Sequence, residues 1–183
     1  MGPYFDAAPT TIARKRLPTG LVAILNNPII LKAAIGELHT YANLNRMENP
    51  PRRGIVFRVV EEWELRAFVQ TIWSHFGPAQ ASDNERLYKI ALGHMHIIDD
   101  SAMSHASNRH GLKEGDHHHL LLSPLDFALI PEEVNPRYIV EFSVAKGMPR
   151  IVYRKPFDSW NLVVVQELQQ KAGLLIKTVY KQK

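Results

Sequence analysis

Apolar residues first fall into register between Pro28 and about Leu44, where Leu31, Ala34, Ile35, Leu38, Tyr41 and Ala42 share one helical stripe. Asn27 is suited to cap that helix and Pro28 to its first position, while Asn49-Pro50-Pro51 lies beyond its end. A short β-branched run, Ile55 to Val60, reads as a strand. From Glu61 to Phe76 the spacing is helical again, with Leu65, Phe68, Val69, Ile72, Trp73 and Phe76 recurring. Glu61, Glu62 and Glu64 favour its N-terminus, and His75 with Gly77-Pro78 marks its stop. Trp63, Trp73 and Phe76 read as core residues of this helix.

The polar string between Pro78 and Glu85 reads as a linker, and a second series of elements begins after it. A strand is expected over Leu87 to Ile98. A short helix capped by Asp100 follows over Ser101 to His110, then a loop from Gly111 to His119 and a helix over Pro124 to Val134. Four strand-like runs close the chain: Tyr138 to Ala145, Arg150 to Lys155, Leu162 to Glu167 and Leu174 to Lys181. Their short connections favour an antiparallel meander. The pattern predicts an α+β fold, with N-terminal helices followed by a four-stranded antiparallel sheet packed on short helices. The divisions expected are an arm over residues 1–26, a helical region with a short strand over 27–80, and an α+β module over 86–183.

Composition narrows the class. A chain of 183 residues with 45% hydrophobic content can bury one sizeable core. Asn26, Asn27, Pro28 and Lys32 interrupt the most apolar stretch, Leu21 to Ile35, so no membrane span is expected. The N-terminus lacks a basic segment leading into an apolar run, so no secretory signal is read and a cytoplasmic setting is expected. With no cysteine, disulfides and thiolate zinc sites are excluded. Charge is uneven: residues 137–183 hold nine Lys or Arg against three Asp or Glu, a net of +6, whereas residues 1–136 hold 13 against 15. A basic region built of strands can attract phosphates, although Lys177, Lys181 and Lys183 also read simply as a solvated tail.

Chemistry near pH 7 is concentrated in His105-Ala-Ser-Asn-Arg-His-Gly111. On a helix His105 and His110 lie about 140 degrees apart, so only one points squarely into a common site. Arg109 is a natural i+4 partner of His105, and His110 also suits a capping cation at the helix end. Strand alternation places Tyr153 with Lys155 on one face and Thr178 with Tyr180 on another, each pair able to line a cleft or to serve as ordinary sheet residues. His94, His96 and the run His117, His118 and His119, with Asp99, Asp100, Glu114 and Asp116 nearby, raise a metal site as one reading. The spacing matches no helical His-Glu-x-x-His arrangement, and neither metal nor cofactor is expected.

About half the chain, Tyr88 to Lys183, resembles the phage-associated members of the barnase/EndoU/colicin/RelE-like nuclease superfamily. The resemblance rests on an ordered series: His105, Arg109, His110 and Gly111; then Asp126-Phe127 leading into Ile130-Pro131-Glu132-Glu133-Val134; then Ile151 to Lys155; then Ile176 to Tyr180. Ala106 departs from it, since a larger apolar residue is expected there, and residues to about Gly77 have no counterpart. The resemblance implies a metal-independent endoribonuclease of toxin or phage-effector type acting on RNA, tRNA among the candidates, with an immunity or host protein as a further partner. It implies catalytic roles for His105 or His110, Lys155 and Thr178, and substrate-binding roles for Arg109, Tyr153, Arg154 and Tyr180. The alternative is an inactive module that binds nucleic acid or protein through the same basic sheet. The oligomeric state is left open.

Overall fold

The computed structural model describes residues 20–24, 27–44, 51–76, 93–106, 119–120, 122–145, 148–169 and 173–183. Among them the chain forms strands β1 (Leu21–Ala23) and β2 (Gly54–Val59), and helices α1 (Pro28–Leu44) and α2 (Glu62–Phe76). Next come β3 (Met95–Asp99), α3 (Asp100–Ala106), β4 (His119–Leu120), α4 (Pro124–Ala128) and α5 (Ile130–Glu133). A 3₁₀ turn over Pro136–Tyr138 leads into β5 (Ile139–Ala145), β6 (Met148–Pro156), β7 (Asn161–Gln169) and β8 (Gly173–Gln182).

All these strands join one sheet in the order β1-β2-β3-β8-β7-β6-β5, with β4 pairing beside β8. The expected antiparallel meander is present as β5 to β8, but the sheet is not limited to four strands and is not purely antiparallel. β1 runs parallel to β2, β3 runs antiparallel to β2, and β3 runs parallel to β8. The reason lies in pairings between distant segments. Leu21–Ala23 is too short to show a period, yet it lines up with Gly54–Val56 inside the segment read as an arm. Likewise β3 docks on β8 through only two registered pairs, His96 with Leu174 and Ile97 with Leu175. That docking requires Gly173: its φ is +113°, and a Cβ there would lie 2.6 Å from the Met95 carbonyl oxygen. Strands from either side of the expected linker therefore share a sheet, while the linker itself and most of the Leu87–Ile98 run lie outside the described residues.

The main core lies between the sheet and the helices. Ile35 and Leu38 of α1, Leu65 and Phe68 of α2 and Met103 of α3 meet Ile55, Ile98, Ile151, Val164, Ile176 and Val179 from the strands. Helix α1 starts as its sequence suggests, with the Asn27 side chain accepting from the Ile30 N–H at 3.1 Å. The run read as one helix over Pro124 to Val134 is two short helices, because Pro131 has no N–H to donate and its ring crowds the preceding turn. Trp63, read as a core residue, is 64% exposed on the outer side of α2 and donates to Glu61 at 2.7 Å. Among the described residues no helix is long and apolar enough to cross a membrane.

Candidate active site

Strand β8 has partners at both ends of one edge and none between them among the described residues. β3 pairs at Leu174 and Leu175, and β4 pairs at Lys181 and Gln182. At this break β3 ends and the chain turns directly into α3. A cavity of about 220 Å³ opens there, lined by Arg52, Asp99, Ser101, Ala102, His105, Arg150, Leu175, Ile176, Lys177 and Thr178.

Local structure explains how these side chains converge. Asp99 caps α3, with Oδ1 accepting from the Ala102 N–H at 2.8 Å; the cap is therefore Asp99 and not the expected Asp100. Asp100 instead pairs with the backbone of Arg53, accepting from its N–H at 3.2 Å and donating its own N–H to the Arg53 oxygen at 2.9 Å. This clamp holds the Pro51–Arg53 segment against the start of α3 and brings Arg52 Nη2 to 3.4 Å from Asp99 Oδ2. On β8 the register skips a residue, since Thr178 pairs with Val165 but Ile176 pairs with Gln166. Lys177 is the unpaired residue of that bulge, a device that re-aims a side chain. In the last turn of α3, His105 is exposed and lines the same cavity.

Among the described residues the cavity is predominantly cationic, with Arg52, Arg150 and Lys177 set against the carboxyl of Asp99. Burial pushes that carboxyl above its ordinary value and Asp100 adds to the shift, while the Ala102 N–H, Arg52 and Lys177 act against it. Such a site can hold an anion beside an imidazole, a hydroxyl and a carboxyl whose pKa burial raises.

Of the residues expected to act together, His105 and Thr178 are united here and Lys155 is not. Lys155 lies on the helix-facing side of β6, its ammonium 5.5 Å from the ring centre of Tyr138 and 5.4 Å from that of Phe157. Beneath it the Glu133 carboxyl is fully buried, facing the Lys155 backbone N–H and charge. Burial pushes Glu133 up to about 9, and the Lys155 charge and N–H offset only part of that effect. Tyr153, expected to bind substrate beside Lys155, is wholly enclosed and donates its hydroxyl proton to Gln166 Oε1 at 2.8 Å. Arg154 and Tyr180 do share the opposite face with Thr178, Arg154 exposed and Tyr180 half-buried. Arg109 and His110 lie outside the described residues, as do Glu114, Asp116, His117 and His118.

Tyr153 belongs to a second assembly, sealed between α2 and the sheet. His96 is fully buried, with Nε2 at 2.9 Å from Glu64 Oε1 and Nδ1 at 2.8 Å from Gln166 Nε2. Gln166 Nε2 also donates to the Leu174 carbonyl at 3.3 Å, and its Oε1 accepts from Tyr153, so the amide orientation is set. His96 consequently carries its proton on Nε2, directed at Glu64. Burial lowers the His96 pKa and keeps the ring neutral, against the pull of Glu64. Burial also opposes the charge on Glu64, but His96 and Arg58 overcome it and hold this carboxyl below its ordinary value. Arg58 donates to Glu64 Oε1 from Nε at 3.1 Å and Nη2 at 2.8 Å, and reaches the carbonyls of Pro131 and Val134 at 3.1 and 2.5 Å. The assembly ties α2 and α5 to β2, β3, β6, β7 and β8.

Sequence reading missed Arg52, Asp99, Ser101, Arg150 and Lys177 as cavity residues. Asp99 had been considered as a metal ligand and Lys177 as a solvated tail residue. Among the described residues no three His, Asp or Glu side chains are grouped as metal ligands would be. No family model matches the chain, and no curated protein or solved structure matches it.

Proposed function

We propose that the protein is a metal-independent endoribonuclease whose active site is the cavity between α3 and the β8 bulge. The observation that carries this reading is the placement of His105 and Thr178 in one cavity with Arg52, Arg150 and Lys177. RNA supplies its own nucleophile: the ribose 2′-oxygen attacks the adjacent phosphorus, the bond from phosphorus to the 5′-oxygen breaks, and a 2′,3′-cyclic phosphate forms. One proton leaves the 2′-hydroxyl and one is delivered to the departing 5′-oxygen. In this reading His105 carries one of these transfers, a task to which imidazole is matched near neutral pH. Asp99, held above its ordinary value, is available for the other. Arg52, Arg150 and Lys177 stabilise the second negative charge that develops on the phosphoryl oxygens, and Thr178 donates a hydrogen bond to the same group. Lys177 thus takes the part that the sequence suggested for Lys155.

Incubation of the pure protein with total tRNA in chelator tests the proposal. Discrete fragments ending in 2′,3′-cyclic phosphate are expected, while DNA of matched sequence, which lacks the 2′-hydroxyl, survives. Intact RNA bound by the protein would overturn the enzymatic reading and leave a binding module.

A further inference from the structure

We infer that Asp100 is a positioning residue for the cavity: by fixing the backbone next to Arg52, it presents the Arg52 guanidinium to an anion bound there. The inference deepens the ribonuclease reading with a residue outside the reacting groups, and it rests on that reading only for what the anion belongs to.

Arg52 is held by its backbone more firmly than by its side chain. The side chain is 69% exposed, and its link to Asp99, at 3.4 Å, is longer than an ordinary hydrogen bond. An exposed pair of this kind does little to fix a long side chain, so the guanidinium is free to leave Asp99 for an incoming anion. The backbone on either side is anchored. Toward Pro51, the Tyr41 hydroxyl donates to the Pro51 carbonyl, and the Arg53 guanidinium lies 5.5 Å from the centre of the same Tyr41 ring. Toward Arg53, Asp100 accepts the Arg53 N–H on Oδ1 at 3.2 Å and donates its own N–H to the Arg53 carbonyl at 2.9 Å. At Arg52 itself the fit is close, since a Cβ on Gly20 would collide with the Arg52 carbonyl.

Topology explains why a side chain is needed here. The ladder between β2 and β3 reaches Gly54 and Asp99, and one residue further on the chain has turned into α3. The Asp100 carbonyl then points along the helix, and its carboxylate takes the acceptor's place on the next rung. Asp100 is buried, so water competes poorly for that bond. Arg52 follows directly beyond the rung, at the mouth of the cavity.

The test uses the full chain in chelator with inorganic phosphate as the probe, its affinity read by chemical-shift titration. Arg52→Ala should weaken phosphate about tenfold and Asp100→Ala about fivefold. Asp100→Asn keeps an oxygen acceptor for the Arg53 N–H and should stay within about twofold of the parent. Both changes remove the charge that helps raise the Asp99 pKa, so a purely electrostatic role would make them alike. With Arg52 already alanine, Asp100→Ala should change affinity less than about twofold, because its effect passes through the missing guanidinium. If Asp100→Ala does not fold, Tyr41→Phe decides: it frees the Pro51 anchor and should weaken phosphate about threefold, again only when Arg52 is present. Wild-type protein that does not bind phosphate, the same affinity for Asp100→Asn and Asp100→Ala, or an effect undiminished without Arg52 would overturn the inference. An unaltered affinity in Tyr41→Phe, where that variant decides, would do the same. RNA cleavage measured in parallel keeps the two ideas apart. Phosphate affinity that depends on Asp100, without cleavage, defeats the ribonuclease reading alone; cleavage with phosphate affinity indifferent to Asp100 defeats the positioning role alone.

Discussion

Two histidine–carboxylate assemblies lie among the described residues, and they differ chiefly in access to water. In the sealed one, His96 and Glu64 are both almost fully buried, every ring nitrogen is engaged and Arg58 supplies the balancing charge. In the open one, His105 is exposed, Asp99 is buried but lines a cavity, and the cations around it outnumber the carboxylates. The residue types are nearly the same. Geometry alone would recommend His96 as the better-oriented base, yet it has no exposed surface, and burial keeps it neutral. A hydrogen-bonded dyad without an entrance is architecture, whereas a looser group beside a cationic opening can do chemistry.

That contrast can be broken in several places. The largest effect is expected at His105: His105→Ala should lower RNA cleavage about 10²- to 10⁴-fold while leaving the thermal midpoint unchanged. Persistent cleavage by this variant would remove the open assembly from the mechanism. On the sealed side, Glu64→Ala leaves Arg58 and His96 facing an unfilled site and should cost about 3 kcal/mol in urea unfolding. An unaltered midpoint would mean that the buried network contributes nothing to stability.

Glu133 sharpens the meaning of sealing, because it is buried without a guanidinium bonded to its carboxyl as Arg58 is to Glu64. Its folded pKa of about 9 lies above the ordinary 4.5, so between those values the folded state binds more protons than the unfolded chain. Its contribution therefore weakens as pH rises through that window, by up to about 1.4 kcal/mol per pH unit. Glu133→Gln should become progressively more stable than the parent from pH 5 to pH 8; parallel stability curves would refute the assignment. A smaller change, about 1 kcal/mol, is expected for Tyr153→Phe, which deletes one hydrogen bond to Gln166, and cleavage should be unaffected. Smallest of all, Lys155→Ala should leave the cleavage rate unchanged, since its ammonium sits over Tyr138 and Phe157. A large loss there would restore the site suggested by the strand pattern.

Local chemistry made much of the scaffold readable in advance. The stripe from Leu31 to Ala42 and the cap at Asn27 correspond to α1, and the glutamates before Leu65 to the start of α2. The strands of the meander, β5 to β8, fall on the runs that begin near Tyr138, Arg150, Leu162 and Leu174. These features depend on neighbours three or four residues away, or on alternation within a strand, so a linear pattern carries them. His105 and Thr178 were also legible as reactive side chains on a helix and a strand.

Their joint role was implied by the family resemblance and by no local pattern, because the cavity they line depends on contacts between distant segments. The parallel docking of β3 on β8 sets the edge break beside α3. The Asp100–Arg53 clamp brings in Arg52 from a loop 47 residues earlier. A bulge, which no period announces, turns Lys177 toward the cavity, while ordinary alternation carries Lys155 and Tyr153 to the helix side. Side-chain identity and local periodicity thus supplied the elements and the reactive groups. Burial, register and the one-residue slip in β8 decided which of those groups face water and one another, since solvation and proximity are properties of the packed chain.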